Sequence, residues 1–129
     1  MDVSETYQKM CDYQEIQRKW KMEEGDYFFK KSTGETRFYF CDHEGWPFAE
    51  SQRRFYVWLP RQDQLQEMLS NVEYKIELLH CFYMDCWQWL ICVSKKEFKG
   101  DSAEQAWIQV YMWHKYYKTW NGQKWEDEK

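Results

Sequence analysis

Two aromatic runs, Tyr27-Phe28-Phe29 and Arg37-Phe38-Tyr39-Phe40, stand on either side of Lys31-Ser32-Thr33-Gly34-Glu35. Aromatic side chains suit a pleated, half-buried surface, and a short polar stretch with a glycine supplies the reversal between two strands. The pattern predicts a β-hairpin. A third aromatic run, residues 55–59, ends at Pro60 and predicts a third strand. Residues 41–53 carry Gly45 and Pro47 and read as a loop.

The other signals are helical. Val3, Tyr7, Met10, Cys11, Tyr13, Ile16 and Trp20 fall near one helical face over residues 3–21, with Ser4 placed to cap it. Pro60 suits a helix start, and Asp63, Leu65, Met68 and Leu69 continue a helix over residues 61–69. In residues 72–95, Leu78, Leu79, Phe82, Cys86, Trp89 and Val93 share a helical face, which predicts a third amphipathic helix. Residues 96–101 read as a polar break. Ser102-Ala103-Glu104-Gln105 is a capping-box pattern that opens a last helix, with an inner stripe of Ala103, Ala106, Trp107, Val110, His114 and Tyr117. Asn121-Gly122 between Trp120 and Trp125 marks a tight turn, and residues 126–129 read as a frayed charged tail. The expected fold is a single α+β domain over residues 1–129: a small antiparallel sheet, hairpin plus third strand, packed with about four helices.

Composition narrows the function classes. A chain of 129 residues can bury a core without staples. Hydrophobic residues are 43% and charged residues 31%, a globular mixture despite a mean hydropathy of -0.97. The net charge of -4 argues against direct nucleic-acid binding, which draws its affinity from clustered Lys and Arg. Five cysteines without a CxxC motif argue against a disulfide framework and for a reducing cytoplasm. The first twenty residues lack the apolar run of a signal peptide, and no apolar stretch is long enough to span a membrane.

Candidate chemistry is thin. His80, Cys81, Asp85 and Cys86 are close in sequence, but as a helix only Cys81 and Asp85 share a face, and zinc wants converging ligands. His43, His80 and His114 could each pair with a cysteine, yet no surrounding signature selects one. No phosphate-binding loop or HExxH motif occurs, so neither a catalytic residue, a metal nor a cofactor is expected.

Two surfaces remain. Aromatic residues are 21% of the chain, and the last helix and turn concentrate them beyond what one helical face can bury. Trp113, Tyr116, Trp120 and Trp125 are therefore candidates for a partner or oligomer interface. Arg53 and Arg54 precede the aromatic strand that holds Trp58, a combination suited to a phosphate-bearing ligand with a stacking base.

The block Trp58-Leu59-Pro60-Arg61-Gln62-Asp63-Gln64-Leu65-Gln66-Glu67-Met68-Leu69 resembles a family of small uncharacterised proteins of phages and prophages of Gram-positive bacteria. Weaker resemblances lie at Glu24-Gly25-Asp26-Tyr27-Phe28, at Glu104-Gln105-Ala106-Trp107, and from Lys115 to Gly122, whereas residues 41–54 depart from the family in content and length. The resemblance implies a phage setting and no settled activity. Small acidic phage proteins often act on host machinery, anti-CRISPR proteins among them. Pro60, Asp63, Leu65, Met68 and Leu69 have structural roles in the block, which leaves Arg61, Gln62 and Gln64 as further partner-facing candidates. The expected function is a non-enzymatic, cytoplasmic inhibitor of a host protein. The alternative is a sponge for a nucleotide signal at Arg53, Arg54 and Trp58.

Overall fold

The computed structural model describes residues 1–38, 50–69, 76–83, 86–93 and 95–128. Its fold is α+β, with helices and small antiparallel sheets. The chain divides into two compact units, Val3–Arg61 and Gln62–Lys129 with Met1–Asp2.

In the first unit, α1 (Glu5–Cys11) is capped by the Ser4 hydroxyl, which accepts the Tyr7 backbone N–H at 3.2 Å. The expected long first helix is in fact two. After α1 the chain breaks at Asp12 and Tyr13, and α2 covers Gln14–Gln17. Three antiparallel strands follow, β1 (Tyr27–Lys30), β2 (Thr36–Phe38) and β3 (Tyr56–Leu59), with β1 in the middle. Phe28 faces Trp58 and Phe29 faces Val57 across β1 and β3. Gly34, at φ +70, makes the hairpin reversal, so the expected hairpin and third strand both form. The part of the expected loop and hairpin at residues 39–49 lies outside the described residues, and Glu50–Phe55 is a 3-10 helix.

Tyr7, Met10, Cys11, Ile16, Trp20, Phe28, Val57, Trp58 and Leu59 form the buried centre of this unit. Gln17 closes the outer edge of β3. Its amide accepts the Trp58 N–H at 2.7 Å and donates to the Trp58 carbonyl at 3.0 Å, satisfying strand groups that β1 leaves unpaired.

In the second unit, α3 covers Gln62–Met68 and α4 covers Ala103–Tyr116. The amphipathic helix expected over residues 72–95 does not form. Ile76–Tyr83 and Cys86–Val93 are instead strands β4 and β5, paired from Ile76↔Val93 to Tyr83↔Cys86. The run is apolar at nearly every position, so helical and strand periods both fit it. Its aromatic and β-branched residues, among them Phe82, Tyr83, Trp87, Trp89, Ile91 and Val93, favour the pleated form. The expected polar break is also a strand, β6 (Lys96–Gly100), the outer member of the β4-β5-β6 sheet.

The α4 helix packs on β5 and β6 and against α3. Ile91 and Val93, two residues apart on β5, point one way and are fully buried, and Phe98 opposite Ile91 is buried with 4% exposure. Ala106, Ile108, Val110, Tyr111 and Met112 are buried along α4. Gly100 is required by the close approach of β6 to α4, since a Cβ there would lie 2.7 Å from the Gln105 Cβ and 2.9 Å from the Ala106 nitrogen. No helix among the described residues is long and apolar enough to cross a membrane.

Candidate functional site

Both termini of α4 are capped. At the start, the Ser102 hydroxyl accepts the Gln105 N–H at 3.1 Å and donates to the Asp2 carboxylate, which also receives the Gln105 amide at 2.8 Å. The Gln105 side chain reaches back to the Asp101 N–H, so the expected capping pattern works one residue earlier than the usual box.

At the other end, Tyr117 takes the left-handed conformation, φ 57 and ψ 42, and its N–H caps the Met112 and Trp113 carbonyls. That reversal starts a two-stranded ribbon, β7 (Lys118–Trp120) and β8 (Trp125–Asp127). Asn121 turns it, its side-chain oxygen accepting the N–H groups of Gln123 and Lys124, with Gly122 at φ +99. The expected tight turn is present, and the expected frayed tail is a paired strand as far as Asp127.

The left-handed cap reverses two expectations. Continued as a helix, Tyr117 would lie inside and Tyr116 outside. Instead Tyr116 is half-buried against Tyr111, with ring centroids 6.1 Å apart, and Tyr117 is 64% exposed. Trp113, half-buried, lies 6.3 Å from the Tyr117 ring and 5.5 Å from Phe98. Trp120 is half-buried and crosses the ribbon to Trp125 at 5.2 Å. Trp125 is only 6% exposed, because the T-shaped pair turns it inward, so it supports this surface and does not belong to its open part. Of these rings Tyr117 is the exposed one and Trp113 adjoins it, while Tyr116 and Trp120 are half-buried against Tyr111 and Trp125. Tyr117 was missed because only the hairpin that begins at Lys118 ends the helix before it.

A carboxylate closes one side. Glu128 binds the Lys96 ammonium with Oε1 and accepts the Trp113 indole N–H with Oε2 at 2.6 Å. The Lys96 nitrogen also sits 5.6 Å from the Trp113 ring centre and 5.8 Å from that of Phe98. The hydrogen bond from Lys96 holds the Glu128 carboxyl below the usual carboxylate range. Partial desolvation opposes this and the Trp113 N–H adds to it.

The other predicted residues are spent largely inside the protein. Arg61 donates to the Gly25 carbonyl and lies 3.5 Å from the buried Asp26 carboxylate. Asp26 in turn accepts the Trp20 indole N–H and the Glu23 N–H, each at 2.9 Å. Gln62 is half-buried and Gln64 is 7% exposed on α3, so Gln64 is removed from the expected partner surface by packing.

Arg53 donates to the Trp20 carbonyl with its guanidinium 5.1 Å from the centre of that ring. Trp58, 3% exposed, stacks parallel to Trp20 at 6.5 Å. Pairing of β3 with β1 on one edge and Gln17 on the other holds Trp58 in the core, which corrects the expectation of an open stacking platform. Arg54 is exposed beside the half-exposed Phe55, 4.9 Å from its ring centre.

Among the described residues, no group of three or more His, Cys, Asp or Glu is placed to hold a metal ion. Asp85 and His43 lie outside them, and the helical spacing of Cys81 with Asp85 is lost because Cys81 is in a strand. His114 is half-buried on α4. A scan against protein-family models and searches of curated proteins and of solved structures found no match to this chain.

Proposed function

We propose that this protein is a non-enzymatic binding protein that engages a host protein through the aromatic surface at the end of α4 and inhibits it. One observation carries the reading. Tyr117 keeps a large ring 64% exposed in a left-handed conformation that glycine would occupy with less strain. A bulky residue at positive φ is an outlier, and strain of this kind gathers at working surfaces. Exposed Tyr and Trp on a rigid element are the usual anchors of a protein interface. The phage setting, the cytoplasmic location and a bacterial defence effector as target are supported by the resemblance of the block from Trp58 to Leu69 and by the acidic balance of the chain.

The test is a paired capture from a Gram-positive host lysate with wild-type protein and the Tyr117→Gly variant, which keeps the cap geometry and removes the ring. A stoichiometric partner held by the wild type and lost by the variant is expected. Equal recovery by both, or no stoichiometric partner, would overturn the reading. Restored phage plating in a defence-bearing strain, for the wild type alone, would identify the target class.

A further inference from the structure

We infer that Trp113, Phe98 and Glu128 form a cation cage whose resident occupant is Lys96, and that the partner presents a basic side chain that exchanges with it. The three groups come from separate elements, α4, β6 and the residue following β8, and converge on one ammonium. The Phe98 and Trp113 rings stand 5.5 Å apart at 51°, each with its centre within 6 Å of the Lys96 nitrogen. A ring face attracts a cation through its quadrupole, most strongly for Trp. The Trp113 indole edge simultaneously holds the Glu128 carboxylate, which leaves the ring face to the cation and sets the anion beside it. Two aromatic faces and one carboxylate are the elements that recognise alkylammonium and guanidinium groups.

The ammonium and the carboxylate face solvent, the Lys96 and Glu128 side chains being 32% and 25% exposed, with Trp113 half-buried and Phe98 buried beside them. Exchange therefore needs no opening of the core. A solvent-exposed ion pair contributes little net stability, so one cation can replace another at small cost. Tyr117 adjoins the cage through Trp113 and is the exposed ring across which an approaching chain would lie. The net charge of -4 favours encounter with a basic surface.

The partner's role rests on the binding reading above, but the cage can be tested alone. Lys96→Ala removes the occupant. The Trp113 indole N–H resonance, assigned through Trp113→Phe, is then followed during titration with n-butylammonium chloride, and with n-butanol as the neutral counterpart. In Lys96→Ala the ammonium should shift this resonance saturably and at least about tenfold more tightly than in the wild type, where Lys96 competes. The alcohol should not shift it, and adding Glu128→Gln should abolish the effect. No saturable shift, an equal response to the alcohol, or a response that survives Glu128→Gln would overturn the cage. If Lys96→Ala is unfolded, recovery of its fold by the ammonium supports the cage, and failure to recover overturns it. A negative titration leaves the binding reading intact. A positive titration without Tyr117-dependent capture overturns that reading and leaves the cage.

Discussion

Trp113 donates its indole N–H to the Glu128 carboxylate across 2.6 Å, tying the last turns of α4 to the residue that follows β8. The bond joins the ribbon's second strand to the helix at a point where the Glu128 N–H also reaches the Tyr117 carbonyl at 2.8 Å. Through this pair the end of the described chain is part of the aromatic surface.

The first prediction concerns acid. The Lys96 hydrogen bond lowers the folded carboxyl of Glu128 below its ordinary value. The unfolded state then binds the proton first, so the stabilisation is complete above the unfolded value, about 4.3, and is lost as pH falls through the folded one. The Trp113 indole N–H resonance should therefore keep its bonded shift where an unfolded glutamate is already taking up its proton, and lose it only in stronger acid. Glu128→Gln should flatten that response. An unchanged acid transition in the variant would show that another group controls it.

A second prediction separates backbone strain from use. Lys95 at φ 71 and Tyr117 at φ 57 are the non-glycine residues at positive φ among those described. Replacing either with glycine should raise stability, by about 0.5–1 kcal/mol, provided the lost side chain contributes little packing. Thermal melts of both variants should move upward or stay level. Only Tyr117→Gly should lose partner capture. A marked fall in melting temperature for Tyr117→Gly would mean that its ring is structural.

Gly100 supplies a third. An added methyl would meet the Gln105 Cβ and the backbone nitrogen of Ala106, neither of which is a flexible chain end. Gly100→Ala should push β6 from α4 and destabilise the fold by about 1–3 kcal/mol. Urea unfolding should show a lower midpoint with an unchanged slope. A midpoint equal to wild type would show that this contact yields freely.

The fourth concerns Asp26, fully buried and shared by Trp20, Glu23 and Arg61. Asp26→Asn keeps one acceptor but removes the charge opposite Arg61 and turns an NH2 toward existing donors. The loss should be about 2–3 kcal/mol, moderated by the 26% exposure of the Arg61 side chain. Chemical denaturation followed by Trp fluorescence measures it. A neutral result would show that solvent already screens the pair.

The features written in short-range chemistry were legible in the sequence. Ser4 and Ser102 cap their helices, Gly34 and the Asn121-Gly122 pair make their turns, and the aromatic runs at Tyr27–Lys30 and Tyr56–Leu59 become strands. The caps and turns depend on groups within a few residues, and an aromatic run's preference for the pleated form is a local property, so local composition suffices for them. The α+β class and the aromatic character of the last helix follow from the same signals.

Tertiary structure decided the rest. Residues 76–93 are apolar at nearly every position, and periodicity cannot choose a helix or a hairpin there. Pairing with β6 and cover by α4 choose the hairpin. Local pattern placed Tyr117 inside and Tyr116 outside, but α4 ends before Tyr117, which is 64% exposed, while Tyr116 is half-buried. Arg53 and Trp58 read as ligand-binding and Arg61 as partner-facing, yet their partners Trp20, Gln17, Gly25 and Asp26 lie 33 to 41 residues away in the chain. Glu128 meets Lys96 across 32 residues. A side chain's exposure and charge partner depend on what folding brings beside it from elsewhere in the chain, and that is where residue pattern alone stops.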